Sequence, residues 1–407
     1  MPTLSLPFAL QENLWPTMHT RLRFHFPQIE QVDITATEVR LHSTEALPAG
    51  KVTSVVERVA ASYASISERL SSRVVYDPAA GTDAPALSAE DATALRAAAV
   101  RLVADLEEAR TTLPAEGFGE VLPRERGLNV YGGVEAYRLR AVDDFLRRFF
   151  ERAHGATEIR VPSMLPATVV DRAGHFDTGC QHLSFVAPVT TDMEDFEGFL
   201  PYWRGDNDRE RLHEFLRTPR DILNPALCLH AYPLVEHRPV DNLVLTLSGS
   251  CFRDESGNLN NRERLREFTM REGVFFGSQR HLAQVHQRLV AMMAAVADLF
   301  GFKYQLATAT DIFFNDNAQQ QLFSQLVSDS KIEMLVQLDD GEPVAMASIN
   351  KHGQHFAKPF GLRGSDGTTP STMCIGFGLD RVLLALRDAP DLPGQLRQGL
   401  ARMEGQA

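Results

Sequence analysis

The sequence predicts an α+β fold, an antiparallel sheet flanked by helices with a small α+β extension at the N-terminus. Three observations carry this. Segments of alternating polarity come in adjacent pairs that read as hairpins, most plainly IEMLVQL and PVAMASI around DDGE, where Asp-Gly is a turn signal. Two long amphipathic stretches, VEAYRLRAVDDFLRRFFERAHG and QRHLAQVHQRLVAMMAAVADLFG, end on Gly155 and Gly301, as helices do. Hairpins outnumber βαβ units, and neither a GxxxxGK[ST] loop nor a strand-GxGxxG-helix fingerprint is present.

Taken in order, residues 19–26 (HTRLRFHF) and 32–42 (VDITATEVRLH) alternate like half-buried strands. The stretch after Gly50, KVTSVVERVAASYASISERL, carries a helical apolar face, and SRVVYD reads as a further strand. Ser88 and Asp91 form an N-cap pair for a helix through about Arg110. The stretch LPAEGFGEVLPRERG is the best linker candidate. This divides the chain into an extension over 1–125, a catalytic domain over 130–392 and a flexible tail over 393–407. In the second part, helix 134–154 leads into the strand TEIRVPSMLP, and the helix ending at Gly301 leads into YQLATATD. CIGFGLDRVLLALRDA is a glycine-broken strand running straight into a helix.

Composition sets outer bounds. A chain of 407 residues suits two domains, or one large domain with an extension. A net charge of −12 argues against nucleic-acid binding, and acidic residues outnumber basic ones in the extension, a poor surface for gripping RNA. No apolar run approaches the roughly 20 residues of a membrane span, and the N-terminus lacks the basic and apolar regions of a signal peptide. Cys180, Cys228, Cys251 and Cys374 lie far apart, which points to a reducing cytoplasm with buried thiols or metal ligands.

The chemistry concentrates in CFRDESGNLNNRERLREFTMREGVFFG, residues 251–277. A strand ending in Arg253 and Glu255 returns through Arg264 and Phe268. This is either an ion-paired surface ribbon or a floor for a polyanion and a flat base. With the helix and strand ending near Pro162 before it, and GFGLDR (376–381) after it, the hairpin resembles the three ordered signature motifs of class II aminoacyl-tRNA synthetases. On that resemblance Arg253 and Arg381 bind ATP phosphates as catalytic groups. Phe268 stacks on adenine with Arg381 on its other face, and Arg264 reaches the terminal phosphates. Glu255 takes the adenine amino group or holds Mg2+.

NPALCLHAYP, CFRDE, LREFTMREGVFFG, TDIFF and CIGFGLDR together resemble the amino acid:[carrier protein] ligases, truncated relatives of atypical archaeal seryl-tRNA synthetases. The resemblance covers roughly residues 130–390. It implies a Zn2+ ion on Cys228, Glu272 and Cys374 that binds the amine of a small amino acid, with Asp311 adding a charge contact. It also implies a homodimer, and transfer of the amino acid to the phosphopantetheine thiol of an acyl or peptidyl carrier protein rather than to tRNA. Around Asp311 this chain departs from the family pattern, with Ile312 and FFNDNAQQ. A true tRNA synthetase of seryl type and a non-catalytic paralogue are the alternatives. Cys180 and Cys251 read as small buried hydrophobes, although His175 and His182 beside Cys180 offer a rival metal cluster. The charged stretch 192–221 reads as a solvated insertion with one helix, or as a docking surface whose arginines face an acidic carrier.

Overall fold

Three separate apolar clusters organise the chain in the computed structural model, which describes residues 3–5, 10, 12, 15–63, 73–112, 121–205, 210–309, 330–338, 341–387, 389 and 391–405. Two of them lie on opposite faces of an eight-stranded sheet. Its order is Val74–Tyr76, Tyr304–Thr308, Lys331–Val336, Val344–Gly353, Ser371–Gly378, Glu267–Gly277, Val244–Phe252, Thr157–Arg160. Every pairing is antiparallel except the last, where Leu245 pairs with Thr157 in a parallel register. The expected antiparallel sheet flanked by helices is therefore what the chain forms.

The larger cluster packs helices Gly133–His154 and Gln279–Phe300 on one face, with Phe145, Phe149, Phe150, Leu289 and Phe300 essentially inaccessible. Both helices stop on glycines in the left-handed region, Gly155 at φ 61° and Gly301 at φ 70°, which other residues adopt only at a cost. The second cluster, around Leu227, Tyr232, Phe276 and Phe360, covers the opposite face and backs the candidate site.

Several expectations change at the N-terminus. Residues 19–26 are not a strand: Trp15–His25 is a helix, begun by Pro16 in its first turn. Met18, Leu22 and Phe26 are all buried, a four-residue spacing that outweighs the apparent two-residue alternation. Segment 32–42 is two strands, Ile29–Ile34 and Glu38–Ser43, folded about Thr35, whose hydroxyl accepts from the Glu38 amide; the turn has no Gly, Pro, Asn or Asp to announce it. These elements enclose the third cluster with helix Ala49–Tyr63.

The cores do not divide at residue 125. Strand Val74–Tyr76 joins the edge of the large sheet, and helix Ala89–Thr112 buries Leu95, Leu102 and Leu106 in the larger cluster. Ser88 does cap that helix, exchanging hydrogen bonds with Asp91, whose carboxylate also receives Arg288. The tail is not loose either. Leu392–Gly405 is a helix that buries Leu392 and Leu396, sets Gly399 against the Leu299 carbonyl and joins Arg397 to Glu107. Its apolar residues at 392, 396, 400 and 403 make one stripe that the polar average conceals.

On the helix side of strand Glu267–Gly277, Arg271 is buried to 2% exposure and ties three elements together. Its guanidinium donates to both carboxylate oxygens of Asp143 at 2.7 and 2.8 Å and to Glu158 at 3.3 Å. Removing a buried partner strands the opposite charge, though Asp143 and Glu158 retain some water. Arg271→Ala is expected to cost about 3 kcal/mol, at the lower end of such losses, checked by urea denaturation.

Candidate active site

Strand alternation builds the site. Along Glu267–Gly277, Phe268, Met270 and Glu272 share the face opposite Arg271. Opposite them stand Cys251, Gly249 and Leu247 on one neighbour, and Gly378 and Gly376 on the other. Cys374 lies two residues before Gly376, on the same face, and Asn350 pairs with it from the next strand. Gly376 leaves room here for both neighbours: a Cβ would stand 2.7 Å from the Met270 methyl, which would have to move, and 3.5 Å from the Glu272 side chain.

Cys228 arrives from outside the sheet, in the short turn Leu227–His230. The Leu227 and Cys228 amides donate to the two Glu272 carboxylate oxygens at 3.2 and 2.9 Å, fixing that side chain beneath the turn. One donor atom from each of Cys228, Glu272 and Cys374 lies within 4.8 Å of the others, and all three residues are buried. Burial, and next to it the Cys374 sulfur, pushes the Glu272 carboxyl up to about 8. The hydrogen bond between the two thiols draws Cys374 far below its ordinary value and raises Cys228 well above it. The Cys374 sulfur also meets His352 Nε2 at 3.5 Å and Asn350 Nδ2 at 3.8 Å. Neither residue was foreseen; the signal is their register against Cys374, which local spacing does not display.

The charged half of the hairpin lies alongside. Arg253 donates to the Pro225 carbonyl at 3.2 Å, and its guanidinium sits 5.4 Å from the centre of the Phe268 ring. Arg264 and Glu255 form an ion pair at 2.6 Å. Burial alone would push the Glu255 carboxyl up, but the Arg264 charge and hydrogen bond hold it below its ordinary value. Arg381 donates to the Glu263 and Ala345 carbonyls, each at 2.8 Å, so it bridges the hairpin loop and the next hairpin. Its neighbour Asp380 is buried and accepts from Tyr131 and the Thr269 amide, both at 2.5 Å, anchoring that corner.

All eight of these expected residues that the structure describes, Cys228, Arg253, Glu255, Arg264, Phe268, Glu272, Cys374 and Arg381, line one cleft of about 2170 Å³. Asp311 and its FFNDNAQQ neighbourhood lie outside the described residues. Among the described residues, Cys228, Glu272 and Cys374 are the group that meets a metal-binding spacing, and His175, Cys180 and His182 do not assemble into one. Cys180 is exposed rather than buried, whereas Cys251 is buried as expected, and all four thiols are free. The stretch after Asp192 does form one helix, Met193–Arg204, but Met193, Phe196, Leu200 and Trp203 give it an apolar exposed stripe instead of a purely charged surface. No helix of the described residues is long and apolar enough to cross a membrane.

Comparison with known proteins bears on the family of the chain. A family model for the tRNA synthetase class II core domain (G, H, P, S and T) matches residues 223–389. Amino acid–[acyl-carrier-protein] ligase 2 of Bradyrhizobium diazoefficiens is 32% identical over 285 residues, covering 67% of this chain and 82% of that protein. The chain belongs to this ligase family. Ligase 1 of the same organism is 31% identical over 240 residues, covering 58% of this chain and 72% of its own. A type-2 serine–tRNA ligase of Methanococcus aeolicus is 27% identical over 254 residues, which is 60% of this chain and 49% of that one. The solved structure of Methanopyrus kandleri SerRS with A. aeolicus tRNASec shares the fold, with a TM-score of 0.56 at 20% identity, over 99% of this chain and 77% of that one. As a member of this family the chain is an adenylate-forming ligase, and its class II core implies ATP and Mg2+.

The Glu255–Arg264 pair gives a pH signature. A carboxyl held below its unfolded value adds stability that is complete above that value and is lost as pH falls through the folded one. The stability difference between wild type and Glu255→Gln is therefore expected to be present above about pH 4.5, the ordinary carboxyl value, and to vanish in more acid solution. Urea titrations of both proteins across pH 3–7 check this.

Proposed function

We propose that the ligase activates a small amino acid with ATP as the aminoacyl-adenylate and transfers it to the phosphopantetheine thiol of a carrier protein. The observation that carries this reading is one cleft holding two chemically different walls. Arg253, Arg264 and Arg381 line one, with Phe268 and Glu255 among them; Cys228, Glu272 and Cys374 form the other.

The thiol–carboxylate wall suits Zn2+. Two thiols and a carboxylate in mutual reach and largely buried form a costly arrangement for the protein alone, and a thiophilic divalent cation balances it. Cys228, Glu272 and Cys374 would hold the ion, whose chemistry there is to bind a free amine at a position the protein leaves open. The amides of Leu227 and Cys228 orient Glu272 for that task, and Asn350 and His352 orient Cys374. Asp311 is assigned to the amine as well, on the family resemblance.

On the other wall, Phe268 offers a face to adenine and the guanidinium groups of Arg253 and Arg381 face the phosphates. The amino-acid carboxylate attacks the α-phosphate in line, a P–O bond forms, and pyrophosphate leaves as the P–O bond to it breaks. Arg253 and Arg381 neutralise the charge that builds on the α-phosphoryl oxygens, Arg264 holds the departing end, and Glu255 would hold Mg2+ or accept from the adenine amino group. In the second step the carrier thiol attacks the adenylate carbonyl, a thioester forms and AMP departs with the displaced bond. Positioning supplies most of that rate, and no side chain is assigned as base.

We assign the edge strand Thr157–Arg160 and helix Gly133–His154 to a homodimer contact, since that strand ends the sheet among the described residues. We place the ligase in the cytoplasm on the strength of its free thiols. Light scattering is expected to give twice the mass of one chain, and a monomer at micromolar concentration would contradict the assignment.

ATP–pyrophosphate exchange across a panel of amino acids, followed by transfer of labelled product to a phosphopantetheinylated carrier or to bulk tRNA, tests the activity. Exchange with one or a few small amino acids and label on the carrier are expected. Arg381→Ala should lower exchange about a hundredfold, and removal of zinc by a chelator should abolish it until the metal is restored. Label on tRNA in place of the carrier would reverse the choice of acceptor.

A further inference from the structure

The loop that joins the two ATP-facing strands does not stand free. At its tip, Gly257 packs so closely on helix Trp15–His25 that a Cβ would fall 2.1 Å from the Arg23 carbonyl oxygen and 2.8 Å from the Pro27 Cα. Beside it the buried Asn258 donates through its side chain to the Thr20 carbonyl at 2.8 Å. Ser256, between this contact and Glu255, is held at φ 49°, a left-handed conformation that serine keeps only where its surroundings impose it. From the other flank, Arg126 donates to the Gly257 and Leu259 carbonyls at 2.7 and 2.6 Å. The helix also reaches the cleft itself: Thr20 and Phe24 line it, and Phe24 meets the ring of His182 edge-on.

We propose that the N-terminal unit is a working part of the active site, in which helix Trp15–His25 clamps the 254–264 loop and so sets Glu255 and Arg264 in position for the triphosphate. This rests on the reading that the 253–268 hairpin binds ATP, and it gives the extension, outside the family match at 223–389, a role within its own chain. Thr20, Arg23 and Phe24 are positioning residues acting through the loop. The helix adds charge as well as rigidity. Burial and the neighbouring Arg126 and Arg264 guanidinium groups hold Arg23 below its ordinary value, and its Nε is buried with no hydrogen-bond partner among the described residues. Guanidinium groups gathered behind one ion pair leave this end of the cleft short of negative charge, which a polyphosphate supplies.

The test uses the full chain. Asn258→Ala removes the tie to Thr20, Phe24→Ala opens the cleft edge, and Gly257→Ala inserts a methyl group where the Arg23 carbonyl stands. ATP binding is measured by titration calorimetry, the KM values for ATP and for the amino acid by pyrophosphate exchange, and folding by thermal melting. The expected result is a KM for ATP raised about tenfold in Asn258→Ala and Phe24→Ala. The KM for the amino acid should stay near wild type and the melting temperature largely retained. Should Gly257→Ala fail to fold, the other two variants decide the matter. A KM for ATP within twofold of wild type in both overturns the clamp, and so does a lowered melting temperature with both KM values unmoved, which is the mark of a mere scaffold. Wild type that binds no ATP overturns the reading of the hairpin and the clamp with it, whereas normal wild-type binding beside unaffected variants removes the clamp alone.

Discussion

Everything in the cleft depends on the register of one strand, Glu267–Gly277, between its two antiparallel neighbours. Alternation gives it two incompatible jobs. Phe268, Met270 and Glu272 face the cleft, while Thr269, Arg271, Gly273 and Phe275 face the helices. A shift of one residue would exchange the faces and carry Arg271 into the cleft and Glu272 into the apolar core. The Arg271 contacts with Asp143 and Glu158 oppose that slip from behind, and the amides of Leu227 and Cys228 oppose it from the front. Two neighbouring charged residues that look alike in sequence thus secure opposite sides of one sheet.

The electrostatics of the two walls differ for the same reason. Arg253, Glu255, Arg264 and Arg381 are held in place by one ion pair and by backbone carbonyls, so that wall can wait, with positive charge in excess, for a polyanion. On the other wall two thiols and a carboxyl crowd together, each largely buried. Burial drives Glu272 up and the two thiols share their proton unequally. An arrangement of that kind is expensive unless something positive completes it.

Legibility followed the length scale of each signal. The long helices, their glycine stops and the paired strands were plain because the pattern repeats within one element. The ATP-facing residues were legible for a similar reason, since Arg253, Glu255, Arg264 and Phe268 fall in one hairpin. The Cys228–Glu272–Cys374 cluster could be named only through family resemblance, because its members come from three segments and share no local spacing. Asn350 and His352 stayed hidden, as Asn350 is placed by cross-strand register and His352 by a register shift beside it. Helix Trp15–His25 was missed because its alternating stretch imitates a strand and its true period begins earlier, at Met18. The strand Val74–Tyr76 was seen, but its partner, Tyr304–Thr308, lies too far along the chain for sequence to reveal.

The pairings around the central strand also differ in how much chain each must close. Val244–Phe252 and Glu267–Gly277 meet across a short loop, whereas Ser371–Gly378 must return over a far longer span to bring Cys374 beside Glu272. Loop closure of that kind costs entropy before any contact rewards it, and non-local pairings are correspondingly slow. The nucleotide wall is local except for Arg381, and the thiol wall is not. During synthesis on the ribosome, the hairpin has all its residues well before Cys374 and Arg381 have emerged, so both walls are completed by the same late strand and the helix that follows it.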